Sequence, residues 1–380
     1  YLVRKYGADA GIVISASHNP MEFNGIKIFK GDGYKLPDEV ENRIEAHIFK
    51  NCEDIKICDG AEIGRVHRLD TAVDDYVDAL EQHIDADLSG LNVLFDCANG
   101  ASAKVAQKLF PRLGCQCSFT GTLDDGVSVN DGCGSTHLDR LEKKVVEGGF
   151  DCGIAFDGDA DRLGVVTRSG NIIYPDRQMM LFAEDILKHH PGAQIIYDVK
   201  CTRALVPWIR ERGGVPTISA TGHSLVKARL RETGAPFAGE MSGHLFFNDG
   251  RWPGFDDGLY AAARLLEIVS RSDNPSAVLD ALPTAVNTPE LHIEFSKEGE
   301  NKAFIEKLRQ AAKFDDAEDV ILIDGLRVEF KDGFALARSS NTTPVAVIRV
   351  EGDTPEALER IKERFAAFIL SVDPTVKLPF

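Results

Sequence analysis

Three aspartates at alternate positions, Asp157, Asp159 and Asp161, stand in the run Asp157-Gly158-Asp159-Ala160-Asp161-Arg162. Small residues separate them, and the β-rich run 152–156 precedes them. A strand ending in an extended or tight turn aims all three carboxylates the same way. Like charges held together are unfavourable without a counter-ion, and hard oxygen donors of this kind suit Mg²⁺. The longer spacing and distal Glu of an EF-hand calcium loop are absent. A second polar stretch, Ala16-Ser17-His18-Asn19-Pro20, follows the run Gly11–Ser15. A Ser at a strand's carboxyl end beside His and Asn can be a nucleophile or a phosphate carrier, although the same residues also build ordinary turns. No Gly-x-Ser-x-Gly elbow accompanies it, which argues against an α/β-hydrolase. In Gly239-Glu240-Met241-Ser242-Gly243-His244 the polar residues alternate, so an extended loop would turn Glu240, Ser242 and His244 to one side. Such a set can grip vicinal hydroxyls, and His244 can also move a proton. Finally, Arg338-Ser339-Ser340-Asn341-Thr342-Thr343-Pro344 gathers hydroxyls, an amide and one guanidinium on a short loop, the composition of an anion cradle.

The elements that must position these loops alternate. Strands are expected at 92–95, 115–119, 152–156, 194–199 and 215–219, with helices at 71–84, 102–113, 138–147, 176–189, 202–212, 223–232 and 256–270. A hairpin turns at Ser169-Gly170. This alternation predicts α/β units whose ligands bind at the carboxyl ends of strands. From about Thr288 the order changes. A strand at 291–295, a helix at 302–312, a hairpin around Asp324-Gly325, a strand at 345–350 and a helix at 355–370 read as an α+β unit. The chain has 380 residues and a formal net charge of −17. That charge opposes nucleic-acid binding and docking on anionic membranes, but a few focused cations can still hold a small anion. No apolar run approaches the ~18 residues of a membrane helix. No signal peptide is visible, and the eight cysteines form no Cys-x-x-Cys pair. The expectation is a cytoplasmic protein with reduced, mostly buried thiols.

The four loops, in this order, resemble those of the α-D-phosphohexomutase family. Residues 239–244, 340–344, 174–177 and 198–203 look like bacterial phosphomannomutase/phosphoglucomutase. Residues 14–20 and 130–137, in the N-terminal half, look like phosphoglucosamine mutase. The resemblance implies three similar mixed α/β domains and a C-terminal α+β domain, like the TATA-box-binding protein, around a central cleft. The expected limits are 1–67, 68–171, 172–286 and 287–380. Tyr1 to Tyr6 reads as a helix end, so the first domain is expected to be N-terminally incomplete.

The resemblance also implies a phosphoserine at Ser17. Mg²⁺ would sit on Asp157, Asp159 and Asp161 and touch the phosphoserine oxygen, and Arg162 would add a second positive group. His18, Lys27 and His244 are candidate acid/base groups. Glu240 and Ser242 would hold the sugar hydroxyls. Arg338, Ser340, Asn341, Thr342 and Thr343 would hold the phosphate that is not being transferred, with Arg177, Lys200 and His223 in support. The implied reaction interconverts hexose 6-phosphate and hexose 1-phosphate through a hexose 1,6-bisphosphate, with mannose and glucose phosphates favoured and glucosamine phosphate the alternative. A sugar-phosphate phosphatase and an inactive sugar-phosphate-binding fragment are the non-mutase readings. The protein is expected to act as a monomer or homodimer.

Overall fold

Residues 1–340 and 343–380 are described by the computed structural model. They fall into two compact units, Tyr1–Ile172 with Asp257–Ser276, and Ile173–Asp256 with Ala277–Phe380.

In the first unit the strand Ala10–Ile14 pairs antiparallel with Ile26–Lys30, Ile12 facing Ile28. The sequence reading had no second strand here, because Lys27 and Lys30 interrupt its apolar run. The helix Asp38–Phe49 starts after Pro37, where apolar residues recur at Val40, Ile44 and Ile48. Beyond it lies a mixed sheet whose longer strands run in the order Gln116–Thr120, Asn92–Asp96, Cys152–Phe156, Leu163–Thr167. The first three are parallel and the fourth is antiparallel. Every residue of Cys152–Phe156 is buried, because helices pack on both faces of this sheet. Leu141 and Val145 of the helix Asp139–Gly148 join Leu94, Ala155 and Val166 in one cluster, and the helix Gly258–Val269 packs against the same strands. A strand covered twice reads as a continuous apolar run rather than an alternating one.

The second unit holds two sheets. One runs in the order Leu245–Phe247, Phe237–Gly239, Gln194–Asp198, Val215–Ser219. The last three are parallel, and Leu245–Phe247 is an antiparallel edge. Strands of three residues are too short to show a period, so that edge is not legible in the sequence. The expected helix at 202–212 is shorter, Leu205–Glu211. Its first residues are diverted by side-chain acceptors: Thr202 N–H donates to Asp176 at 2.9 Å, and Thr202 Oγ1 donates to Glu351 at 2.9 Å.

The other sheet is antiparallel: Val286–Asn287, Val345–Gly352, Gly333–Ser339, Leu326–Phe330, Asp319–Ile321, with Leu291–Glu294 also paired to Val345–Gly352. The central strand Gly333–Ser339 escaped the sequence reading because its alanines carry little β preference. The helices Glu300–Ala311 and Pro355–Val372 cover one face, where Leu308, Ile361 and Phe365 meet Leu326, Val328 and Ile348. The Asp324-Gly325 turn requires glycine: Gly325 has φ 89°, and a Cβ there would lie 2.2 Å from Ala337 O.

All eight cysteines are free; Cys52 and Cys58 are exposed, and five others are buried. Among the described residues no helix is long and apolar enough to cross a membrane.

Candidate active site

Two clusters of polar side chains form, one in each unit. In the first, the loop after Ala10–Ile14 carries Ser17 in the left-handed region, φ 55°. Its N–H donates to Ser15 Oγ at 2.8 Å, and Ser15 Oγ donates in turn to Asp159 at 3.0 Å. Asn130 Nδ2 clamps the loop from a remote segment of the same unit, donating to Ser17 O at 2.8 Å and Asn19 O at 2.9 Å. The Ser17 hydroxyl thus lies 3.2 Å from Asp157 Oδ2 and 3.3 Å from His18 Nδ1.

The acidic loop leaves the end of Cys152–Phe156 and turns at Ala160, φ 62°. Asp157 is fully buried and accepts the N–H groups of Asp161 and Arg162 at 3.2 and 3.3 Å. Arg162 Nε lies 3.5 Å from Asp157 and 3.9 Å from Asp161. Lys27 Nζ donates to Asp159 at 2.5 Å and to Asp161 at 3.0 Å. Burial alone would lower the Lys27 pKa, but the carboxylates of Asp161 and Asp159 outweigh it and raise it. Ligand oxygens of Asp157, Asp159 and Asp161 lie within 4.8 Å of one another. Asp159 Oδ1 is buried and has no hydrogen-bond partner among the described residues. A compact set of hard oxygens with one unsatisfied acceptor fits a divalent cation of the Mg²⁺ type.

In the second unit, residues 240–244 connect Phe237–Gly239 to Leu245–Phe247. They form a closed turn rather than the extended loop expected. Glu240 N–H donates to His244 O at 2.9 Å, and Gly243 takes φ 102°. The turn still brings the polar groups together, since Ser242 Oγ donates to Glu240 Oε2 at 2.9 Å. Glu240 is 2% exposed, and its Oε1 has no hydrogen-bond partner among the described residues. Burial pushes the Glu240 carboxyl up, and the His244 charge opposes this.

Behind the turn, Asp256 gathers a lysine and two histidines. Lys227 Nζ lies 2.7 Å away, His244 Nδ1 3.3 Å and His223 Nδ1 3.7 Å. The two imidazoles stack with centroids 5.5 Å apart. Burial works to raise the Asp256 pKa, but Lys227 and the two histidines hold it well below the usual carboxylate range. His223 opens the helix His223–Thr233 directly after Gly222.

Lys200, just beyond Gln194–Asp198, pairs with Glu290 at 2.9 Å. Arg327 fixes the backbone on either side of it, donating to Val199 O at 2.6 Å and Cys201 O at 2.7 Å. Arg177 Nη2 donates to Leu282 O at 2.8 Å. In the loop after Gly333–Ser339, Ser340 Oγ accepts from Thr343 Oγ1 at 2.9 Å. Asn301 Nδ2 ties the loop down by donating to the carbonyls of Ser340, Thr343 and Val345. Arg338 is 6% exposed and bonds Asp324 at 2.9 Å. Asn341 and Thr342 lie outside the described residues.

Sequence reasoning missed Ser15, Asn130, Asp256, Glu290, Asn301, Asp324 and Arg327 as members of these clusters. Apart from Ser15, which lies two positions from Ser17, each belongs to a segment apart in sequence from the loop it supports, and of these residues only Ser15 and Asn130 stand in stretches that carried the resemblance. Asp324 was visible only as a turn residue.

Models of the four domains of phosphoglucomutase/phosphomannomutase match in chain order. The α/β/α domains I, II and III match residues 1–54, 74–170 and 174–286, and the C-terminal domain matches residues 296–368. A phosphoglucomutase of Neisseria gonorrhoeae is 47% identical over 365 residues, which are 95% of this chain and 78% of the relative. A phosphomannomutase/phosphoglucomutase of Pseudomonas putida is 42% identical over 391 residues, covering 100% of this chain and 80% of the relative. The crystal structure of a phosphoglucomutase/phosphomannomutase family protein of Burkholderia thailandensis superposes with a TM-score of 0.87 at 47% identity. That match covers 98% of this chain and 78% of the other.

Proposed function

The chain belongs to the phosphoglucomutase/phosphomannomutase family and is a phosphohexomutase, an isomerase; from that premise we propose how it works. It interconverts hexose 6-phosphate and hexose 1-phosphate through a phosphoserine at Ser17 and a hexose 1,6-bisphosphate. The observation that carries this reading is the Ser17 hydroxyl held 3.2 Å from Asp157, within a set of three carboxylates.

The resting enzyme carries phosphate on Ser17. The sugar's free hydroxyl attacks the phosphorus, so its O–P bond forms as the Ser17 Oγ–P bond breaks. The hydroxyl proton leaves to a base, and the departing Ser17 oxygen is reprotonated. The bisphosphate then reorients and returns its other phosphoryl group to Ser17, which leaves the isomer. Such transfers depend on positioning and charge neutralisation more than on covalent help. Asp157, Asp159 and Asp161 would hold Mg²⁺, which would supply neutralisation of charge on the transferring group. Arg162 adds a second positive charge beside the same carboxylates. His18, Lys27 and His244 are the candidates for moving the proton.

Glu240 and Ser242 grip two ring hydroxyls, and the unsatisfied Glu240 Oε1 is the acceptor available to them. Arg338, Ser340, Asn341, Thr342 and Thr343 bind the phosphate that is not in transfer, with Lys200, His223 and Arg177 in support. The four-domain division at 67/68, 171/172 and 286/287, a cytoplasmic location and a monomeric or dimeric state belong to the same reading. Mannose and glucose phosphates are favoured by the residues of the 239–244 turn and the 340–344 loop. Coupled assays on mannose, glucose and glucosamine phosphates side by side, with phosphate release measured in parallel, test it. Isomer formation with little free phosphate is expected, and release matching turnover would identify a phosphatase instead.

A further inference from the structure

Arg338 and the 240–244 turn belong to different sheets of the second unit, yet one run of hydrogen bonds joins them. Arg338 Nε donates to Asp324 Oδ2 at 2.9 Å. The same oxygen accepts Thr221 N–H at 3.0 Å. Thr221 Oγ1 donates to Asp198 Oδ2 at 2.9 Å. The other Asp198 oxygen accepts Met241 N–H at 3.2 Å, inside the turn that carries Glu240 and Ser242. Asp198 and Thr221 are buried, as is Arg338. Thr221 also stands one residue before Gly222, the cap of the helix that begins at His223.

We propose that Asp324 is a positioning residue that couples the phosphate-binding loop to the sugar-recognition turn through Thr221 and Asp198. This rests on the function proposed above. Asp324 engages Arg338 through Nε, which orients the planar guanidinium and sets its Nη edge as the face offered to a phosphate. The same carboxylate oxygen fixes the Thr221 backbone, so a displacement of Arg338 is felt at Thr221. Asp198 passes it to Met241 N–H and to the peptide next to Glu240. Buried hydrogen-bonded groups resist such displacement because a donor left without its acceptor carries the full desolvation penalty. Phosphate held by Arg338 and hydroxyls held by Glu240 and Ser242 therefore favour the same arrangement of the loop and the turn. A coupling between two sites is typically about 5- to 150-fold in affinity.

The test uses the full chain with Mg²⁺ and four variants, Asp324→Ala, Arg338→Ala, the double variant, and Thr221→Val. KM, kcat, competitive inhibition by inorganic phosphate and melting temperature are recorded for each. Asp324→Ala should raise both the hexose-phosphate KM and the phosphate inhibition constant about tenfold, with kcat changed less than about twofold. The double variant should fall short of the product of the two single effects on KM, because part of what Asp324 does runs through Arg338. Thr221→Val keeps the N–H to Asp324 but removes the hydroxyl link to Asp198. It should raise KM and leave phosphate inhibition unchanged, and its near-isosteric side chain guards against a folding defect. The proposal is overturned by Asp324→Ala with normal KM, by effects that multiply in the double variant, or by Thr221→Val with normal KM. Normal kinetics in Arg338→Ala would instead overturn the assignment of the phosphate loop itself, and the coupling with it.

Discussion

Ser17 Oγ and Asp157 Oδ2 lie 3.2 Å apart although 140 positions separate the two residues. They meet because the backbones of their loops touch at Gly158, where a Cβ would stand 2.6 Å from Ser17 O and 2.8 Å from Asn130 Nδ2. The hydroxyl is therefore placed on the carboxylate set by a glycine and an asparagine, neither of which carries chemistry.

Gly158→Ala should separate the two loops. Turnover is expected to fall about tenfold or more, since small misplacements of reacting groups are expensive. Melting temperature should fall only a few degrees, because the clash lies at one loop contact and leaves the apolar core intact. Normal kcat at the lower melting temperature would show that the contact is structural only.

Ser17→Gly should lose more than about a thousandfold in turnover, as removal of a nucleophile does in other enzymes. Glycine tolerates the φ of 55° found at Ser17, so the fold should survive. Intact-mass measurement after incubation with hexose 1,6-bisphosphate should show a phosphoryl increment on the parent chain and none on the variant. Phosphate incorporation into the variant would place the carrier elsewhere.

Asp159→Asn keeps the shape of the acidic loop but removes one charge from the set shared with Lys27. The Mg²⁺ concentration for half-maximal activity should rise about tenfold or more, and maximal turnover should fall with it. A superimposable Mg²⁺ titration would count against the metal assignment.

Glu351 gives a pH-dependent prediction. Burial first, then the Asp176 charge, push its carboxyl from 4.5 to about 7, while Thr202 and Arg349 oppose the shift. Between about pH 4.5 and 7 the folded chain keeps a proton that the unfolded chain has released. Stability therefore declines with rising pH across that window, by about 3 kcal/mol at full effect. Glu351→Gln has no proton to lose. It should melt several degrees above the parent at pH 8 and at about the same temperature at pH 5. An equal difference at both values would rule out titration of Glu351 as the cause.

Met241 is half-buried within the 240–244 turn, and its N–H is held by Asp198. Met241→Gln should raise activity on glucosamine phosphate relative to mannose phosphate, measured as a ratio of kcat/KM values. An unchanged ratio would put sugar choice in other residues.

The loops of both clusters were legible in the sequence because their chemistry is local. Asp157, Asp159 and Asp161 declare themselves through spacing, and Ser17 through its place after a strand. Glu240 and Ser242 were paired correctly, though for the wrong geometric reason: a closed turn, not an extended backbone, brings Ser242 Oγ to Glu240. Long helices such as Pro355–Val372 showed their period clearly. The strands Ile26–Lys30 and Gly333–Ser339 did not, since pairing partners rather than their own composition stabilise them.

The residues proposed to carry phosphate, hold a cation and grip hydroxyls stand out in the sequence because each set sits within six or seven consecutive positions. What steadies them emerges only once the chain is folded. Asn130 on the Ser17 loop, Arg327 on the carbonyls beside Lys200, Asn301 under the loop after Gly333–Ser339 and Asp324 between Arg338 and Thr221 all act between separate segments of chain. Hydrogen bonds between remote segments depend on sheet order and helix packing, and a linear pattern of residue types does not encode which segments meet.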